Sequence, residues 1–247
     1  MTQALFATAS GASAYEKRLD ILANNLSNIN TVGFKQDSLT FNVPAQGREQ
    51  EAASNLGHSL FSEQSLPSGT ITDFSPGQLR HTQNALDLAL EGEGFFCIQT
   101  PDGRCYTRKG NFTLNQEGVL VTKAGYPVLG KSGEIKITGH DVRIDEGGEI
   151  SVDGAAVDAI SVVSIPNTHT LRKLGGSLFS PPGSGVDENK AEDVKVKQGF
   201  IETSNVNAIK AMTEMIDVLR GYESYQKVMK TLDDARRKAI NDVGKLR

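Results

Sequence analysis

The sequence predicts an α+β protein. Long heptad helices at the N- and C-terminal ends flank a mainly antiparallel, barrel- or sandwich-like β middle domain, and the helices pair as a coiled coil on assembly. Three observations predict this. Leu5, Ala12, Tyr15, Leu19, Leu22, Leu26 and Ile29 recur by fours and threes, with Thr8 in the one gap, which is a heptad seam rather than an ordinary globular face. Ala208, Ala211, Met215, Val218, Tyr222, Tyr225, Met229, Leu232, Ala239, Val243 and Leu246 repeat the pattern, with Arg236 at its polar position. Between the two seams lie short alternating runs separated by glycine turns, the pattern of an all-β region.

The first helix begins near residue 2 and ends in a polar terminus. Asn24, Asn25, Asn28 and Asn30 precede Thr31 and Gly33. Asparagine is a poor helix-interior residue because its amide competes for backbone groups, and glycine best adopts the left-handed turn that stops a helix. Residues 1–35 are therefore read as a helix with a built-in end. Residues 36–84 are read as an extended or mobile connector, because the polar stretch after Pro44 has no apolar period. Strand character returns at Gly69 to Phe74, followed by the turn Ser75-Pro76-Gly77.

Residues 85–200 are the expected β domain. Strands are predicted at 118–122, 134–138, 142–145, 149–153 and 160–165, with turns at Glu146-Gly147-Gly148 and Asp153-Gly154. Tyr106 and Phe112 are read as core, and Arg108 and Lys109 as a solvated face. Residues 166–190 carry Pro166, Pro181-Pro182 and Gly183-Ser184-Gly185 and are read as loops. Cys97 and Cys105 flank a hairpin turn, T-P-D-G-R. With Asp102-Gly103 as the two turn residues, Thr100 faces Cys105 and Cys97 points to the other face, so a disulfide is disfavoured. The last segment, 201–247, is a helix from about residue 207, with Ser204 or Asn205 as N-cap. Ile209, Met212, Ile216 and Leu219 form a second apolar stripe along it. Gly221 lies inside it, where glycine costs about 1 kcal/mol relative to alanine.

Composition narrows the function classes. The chain has 247 residues, 38% hydrophobic, with formal net charge -4. The slight acidity argues against a nucleic-acid binder, and Arg236-Arg237-Lys238 lies among Asp233, Asp234 and Asp242 as a solvated helix face. No apolar run reaches membrane-spanning length, and the first residues carry no basic n-region or long apolar h-region, so no cleaved signal is expected. His58, His81, His140 and His169 are scattered without metal-ligand spacing. No P-loop or G-x-S-x-G elbow is present. No cofactor, metal or catalytic residue is expected.

Ala23 to Lys35, A-N-N-L-S-N-I-N-T-V-G-F-K, resembles the N-terminal signature of the flagellar rod and hook proteins, the axial proteins of the bacterial flagellum. Ser27 stands where that family usually has alanine. Further passages carry the same resemblance: Asp73 to Leu79 ("DFS-x-G-x-L"), Asn84 to Phe96 ("N-x-L-D-x-A-I-x-G-x-G-F-F", with Leu90 for isoleucine), Tyr106 to Phe112 ("Y-T-R-x-G-x-F") and Gly199 to Val206 ("G-x-x-E-x-S-N-V"). The resemblance implies a basal-body rod subunit in the rod spanning the periplasm. It would leave the cell unfolded through the flagellar type III export apparatus, without a cleaved signal, and polymerise through its terminal helices to transmit torque from motor to hook. Other rod subunits are the implied partners, without nucleic acid or membrane insertion. Lys17 to Ile21 and Gln36 to Phe41 look most like the proximal-rod branch; a distal-rod or hook subunit is the alternative, and the single small β region argues against a hook protein.

The implied assembly residues are Leu19, Leu22, Asn24, Asn25, Leu26, Asn28, Asn30, Gly33 and Phe34 at one end. At the other they are Ser204, Asn205, Val206, Met215, Val218, Tyr222, Tyr225, Met229 and Leu232. Two readings of other classes compete. A peptidoglycan hydrolase would use a carboxylate pair such as Glu91 and Glu93 held roughly 5 to 9.5 Å apart across a cleft, but these residues sit in a strand–turn passage where a solvated turn is the plainer role. A coiled-coil adaptor or adhesin would have its helices already folded in the free chain.

Overall fold

The first helix, α1, spans Thr2–Ser27, and the last, α2, spans Ala208–Gly244. At 1.5 Å per residue they are about 39 and 55 Å long. The computed structural model describes residues 2–41, 67–181, 189–191 and 194–244. The polar stretch expected to be mobile lies outside the described residues, and the side chains of Leu5, Ala239, Val243 and Leu246 do too. By internal contacts the chain divides into two compact units. One holds Met1–Leu26, Asp37–Ile71 and Ala208–Arg247; the other holds Ser27–Gln36 and Thr72–Asn207. The architecture is α+β, with a helix at each end and a mostly antiparallel β middle.

In the first unit the described seam residues face inward. Ala12 and Leu22 of α1 and Ala211 and Val218 of α2 are buried. Tyr15, Leu19, Leu26, Met215, Tyr222, Tyr225, Met229 and Leu232 are half-buried. The second stripe of α2 points out: Ile209 is 80% exposed, and Met212, Ile216 and Leu219 are exposed with it. Among the described residues, this unit's other regular structure is a two-stranded sheet of Asp37–Phe41 and Pro67–Thr72.

The second unit is built on a hairpin of Phe95–Thr100 and Gly103–Thr107. Successive side chains of a strand point to opposite faces, and here both faces are covered. Phe96 and Ile98 enter one core with Leu88, Phe112, Leu120 and Ile135. Phe95, Cys97 and Tyr106 enter a second with Leu129, Leu171 and Phe179. The hairpin is central to an antiparallel six-stranded sheet in the order Arg172–Gly175, Leu178–Ser180, Gly103–Thr107, Phe95–Thr100, Val162–Ser164, Asn189–Lys190. A three-stranded sheet orders Ala155–Ala159, Glu149–Val152 and Val142–Ile144, turning through Asp153 and Gly154, both at positive φ as a tight hairpin demands. Two-stranded pairs join Lys195–Gln198 to Leu88–Glu91, Phe200–Glu202 to Leu79–His81, and Thr113–Leu114 to Leu120–Val121.

Several sequence expectations need correction. Among the described residues the sheets close into no barrel, because short strands and register shifts break the ladders before they join. Residues 134–138 form isolated bridges through Glu134 and Lys136 rather than a strand. Residues 166–190, read as loops, contribute strands to the six-stranded sheet, with Phe179 fully buried. The hairpin turn is Pro101-Asp102, so Cys105 faces Ile98 rather than Thr100. That register moves by two residues and keeps the faces: Cys97 and Cys105 are not joined in a disulfide, and both are buried, on opposite sides of the hairpin.

Gly110 has no room for a side chain, since a Cβ there would collide with the Leu88 carbonyl oxygen; the two backbones are held together by the Leu88 N–H, which donates to the Gly110 carbonyl at 2.9 Å. On the surface, Lys195 and Lys197 each reach the Glu146 carboxylate at 2.9 Å. Their hydrogen bonds and charges hold Glu146 down at about 2. A depressed carboxylate stabilises the fold above its ordinary pKa and loses that contribution as pH falls toward the folded value. The expected NMR titration of Glu146 therefore has a midpoint near 2 that rises toward the ordinary carboxylate range in 1 M salt, where the screening length is about 3 Å, and in Lys197→Ala. An ordinary midpoint at low salt would refute the clamp.

Candidate functional site

The passages that resemble family signatures lie far apart in the chain and meet at one place in the second unit. After α1, Thr31 N–H bonds the Asn28 carbonyl at 3.1 Å and Thr31 Oγ1 bonds Asn28 Oδ1 at 3.1 Å. Gly33 then turns the chain at φ 64°, and its N–H donates to the Glu202 carbonyl at 2.8 Å. A Cβ on Gly33 would lie 2.5 Å from Lys109 N and 2.6 Å from the Arg108 carbonyl carbon. Glycine is required here both for its left-handed conformation and for this backbone contact.

That turn delivers Lys35 to the interior, where it is 1% exposed. Its Nζ donates to Glu202 Oε1 at 2.6 Å and to the Ser75 carbonyl at 2.7 Å. Gly77 N–H donates to the same carboxylate oxygen at 2.7 Å, and Arg108 Nη1 reaches Glu202 Oε2 at 3.4 Å. Arg108 also donates to the Gly92 carbonyl at 2.6 Å and lies over the Phe95 ring, 5.4 Å from its centroid. Burial pulls the Lys35 and Arg108 pKa values down, and the Glu202 charge opposes that in both. Two buried cations thus share one carboxylate, with carbonyl oxygens as further partners, while Arg108 Nε is buried without a hydrogen-bond partner. Arg108 was expected on a solvated face; it is 4% exposed because Glu202 and the carbonyls compensate its charge inside.

A second knot of hydrogen bonds ties the places where the chain leaves this unit. Gln36 N–H donates to Asn205 Oδ1 at 2.8 Å, and Asn205 Nδ2 donates to the Asp73 carbonyl at 2.9 Å. Asp73 N–H returns to the Gln36 carbonyl at 2.9 Å, and Gln36 Nε2 to Asp73 Oδ2 at 2.9 Å. Burial raises the Asp73 pKa, but the bonds from Gln36 and Ser75 outweigh it and the net direction is down. Lys173 donates to the Lys35 carbonyl at 2.7 Å and sits 4.0 Å from the Phe34 ring centroid. Residues 36, 73 and 205, next to three of the four points where the chain passes between units, are therefore bonded to one another.

The predicted residues divide accordingly. Gly33, Phe34 and Asn205 belong to this clasp. Asn205 is not the N-cap, since its side chain is spent on Gln36, Asp73 and Ser75 and α2 starts only at Ala208. Ser204 Oγ instead accepts from Val206 N–H at 3.3 Å. In the first unit, Asn25 is buried and clamps Asp37 from both sides, accepting its N–H at 2.9 Å and donating to its carbonyl at 2.8 Å. Asn24 and Asn30 are exposed. Leu22 and Val218 are buried, and the other seam residues lie along the same inner faces. Sequence reasoning quoted Lys35 and Glu202 without giving them a role, because the pairing spans 167 positions.

The arrangement has little to offer a substrate. Glu202 is 1% exposed and both its oxygens are engaged. Glu91, at the end of the strand Leu88–Glu91, and Glu93, in the bend after it, are exposed, and Glu91 pairs with Lys197 at 3.5 Å. Among the described residues there is no metal-ligating cluster, and no helix is long and apolar enough to cross a membrane.

Three family models match. Residues 7–35 match "Flagella basal body rod protein", residues 89–152 "Flagellar hook protein FlgE/F/G D1 domain" and residues 197–242 "Flagellar basal body rod FlgEFG protein C-terminal". The chain is 34% identical over 261 residues to the flagellar basal-body rod protein FlgG of Bacillus subtilis, covering 98% of this chain and 99% of that one. It is 33% identical over 249 residues to the flagellar basal-body rod protein FlgF of Caulobacter vibrioides, covering both chains completely. With the FlgF protein of Rhizobium meliloti it shares 32% over 247 residues, 99% of each chain.

Removing one partner of a buried ion pair costs about 3–5 kcal/mol. Lys35→Met is expected to lower the unfolding free energy of the full chain by an amount in that range in urea titrations, against less than about 0.5 kcal/mol for the exposed Lys123→Met. Equal midpoints for the two variants would show the clasp to be dispensable.

Proposed function

The chain belongs to the flagellar basal-body rod family, a structural family, and from that premise we propose that it is the FlgF-type, proximal-rod subunit, polymerising through its terminal helices to pass torque from motor to hook. The observation that carries the subtype is collinearity. The FlgF alignments run over 247 and 249 residues against 247 in the chain, whereas the FlgG alignment needs 261. A distal-rod role is the alternative within the same family.

The mechanism is packing rather than chemistry. α1 and α2 pair along their seams as a short coiled coil, and the exposed stripe of Ile209, Met212, Ile216 and Leu219 is left for neighbouring rod subunits. Helical stability in proteins comes mostly from packing an apolar face rather than from propensity, so the ends gain order as neighbouring copies cover the outward stripe. This suits export of the unfolded chain through the flagellar type III channel without a cleaved signal. Twisting load enters the β unit through the chain exits at 36, 73 and 205, where the mutual hydrogen bonds resist their separation. Residues 1–35 and 201–247 act as the assembling ends, and 85–200 as the outer domain.

The test is mass spectrometry of purified hook–basal bodies with a label that locates the chain along the axis. The expected position is between the motor ring and the distal rod. A position further out moves the subtype to the distal rod or hook, and absence from intact basal bodies overturns the rod reading. Leu22→Asp, which places a charge at a buried seam position, is expected to abolish incorporation and motility; normal swimming would count against the seam.

A further inference from the structure

Each terminal helix carries a glycine in its interior, where the residue costs about 1 kcal/mol of helix propensity. Both glycines lie under a tyrosine of the other helix. A Cβ on Gly11 would lie 2.5 Å from Tyr225 Cε1 and 2.8 Å from Cζ. A Cβ on Gly221 would collide with Cε1 of Tyr15 and lie 2.8 Å from its Cζ. On α1 the glycine precedes its tyrosine by four residues, and on α2 it does the same. Gly11 meets Tyr225 while Tyr15 meets Gly221, so the helices run antiparallel here, and each ring fills the notch left by the other helix's missing side chain. The two rings lie 5.3 Å apart between centroids, tilted by 46°.

We propose that Gly11, Tyr15, Gly221 and Tyr225 form a reciprocal register lock that commits α1 to the α2 of its own chain. The heptad seam alone does not fix the register, since leucines, alanines and methionines tolerate a slip of one turn. The lock does. A slip of four residues one way brings Tyr15 and Tyr225 to the same level, two rings competing for one space. The same slip the other way sets Gly11 opposite Gly221 and opens a cavity, which destabilises in proportion to its volume. With the inner face of α2 held by its own α1, the stripe at Ile209, Met212, Ile216 and Leu219 is the apolar face that stays outward. The lock rests on the rod reading only for its biological setting; the steric argument is independent of it.

The test is allele-specific suppression, read as incorporation of an epitope-tagged chain into purified basal bodies. Gly221→Leu is expected to reduce incorporation roughly tenfold or more, from overpacking against Tyr15. Tyr15→Ala in the same chain is expected to restore it, because the leucine then fills the space of the lost ring, while Tyr225→Ala is not. The mirrored pair, Gly11→Leu with Tyr225→Ala, is expected to behave alike. Co-expressing an untagged Tyr15→Ala chain with the tagged Gly221→Leu chain is expected to leave the tagged chain excluded, since the lock closes within one chain. Recovery in that mixture would overturn the intrachain assignment, and normal incorporation of Gly221→Leu, or no recovery in either same-chain pair, would overturn the lock. Absence of the tagged unmutated chain from basal bodies would instead sink the rod reading, so the two failures are distinct.

Discussion

The β unit depends on one carboxylate. Glu202 stands at the end of the strand Phe200–Glu202 with its side chain in the interior, accepting from Lys35, Gly77 and Arg108. An uncompensated charge in that position would be intolerable, and an apolar replacement would strand the two cations. The rest of the local geometry follows from this demand. Lys35 reaches the carboxylate only because Gly33 turns the chain tightly against the Arg108–Lys109 backbone. Gly77 approaches only because it has no Cβ, which would otherwise collide with the Thr203 carbonyl oxygen. Arg108 is carried inward by the strand Gly103–Thr107 and the core residues beside it. A single buried charge therefore accounts for two glycines, a lysine and an arginine contributed by three separate passages.

The helices were legible in the sequence because helical periodicity is local: a seam written in threes and fours can be read from neighbours alone. The same holds for the tight turn at Asp153-Gly154 and for the core positions Tyr106 and Phe112, both buried. The clasp was not legible. Glu202 lies 167 residues from Lys35 and 94 from Arg108, and nothing within either neighbourhood announces that a cation there will be compensated from so far away. Arg108 consequently reads as solvated. Phe179 was missed for a related reason: prolines and glycines around it read as a loop, while the register that buries it is supplied by Tyr106 across the sheet. The hairpin register was misplaced because Pro101-Asp102, not Asp102-Gly103, makes the turn, yet the two-residue shift preserved the parity of the faces and with it the separation of the two thiols.

The asparagines show how one compositional signal can hide several physical roles. Four of them in seven residues suggested a helix terminus, which α1 has at Ser27. Their work differs by position. Asn28 organises the turn with Thr31. Asn25 is still helical and buried, and its amide bonds both backbone groups of Asp37 as a neighbouring strand would. Asparagine suits this because its side chain offers a donor and an acceptor in one plane; an aspartate in its place could accept the Asp37 N–H but would set a second acceptor against the carbonyl. Asn205 uses the same property at the other end of the chain, accepting from Gln36 and donating to Asp73.

The proposed torque-transmitting role requires the chain to resist being pulled apart where it leaves the β unit, and a hydrophobic contact is poorly suited to that, since it has no direction and can slide. Hydrogen bonds and ion pairs have fixed geometry. The β unit places such bonds at its exits, with Gln36, Asp73 and Asn205 joined to one another and the buried Lys35–Glu202 pair immediately behind them. The apolar seams lie instead along the helices, where area rather than direction matters and many weak contacts share a load. Directional bonds at the exits and non-directional packing along the helices form a division of labour that follows from the two kinds of force. It explains why the charged and amide residues of this chain's end motifs concentrate at their junctions with the β unit while leucine, alanine, methionine and tyrosine populate the seams.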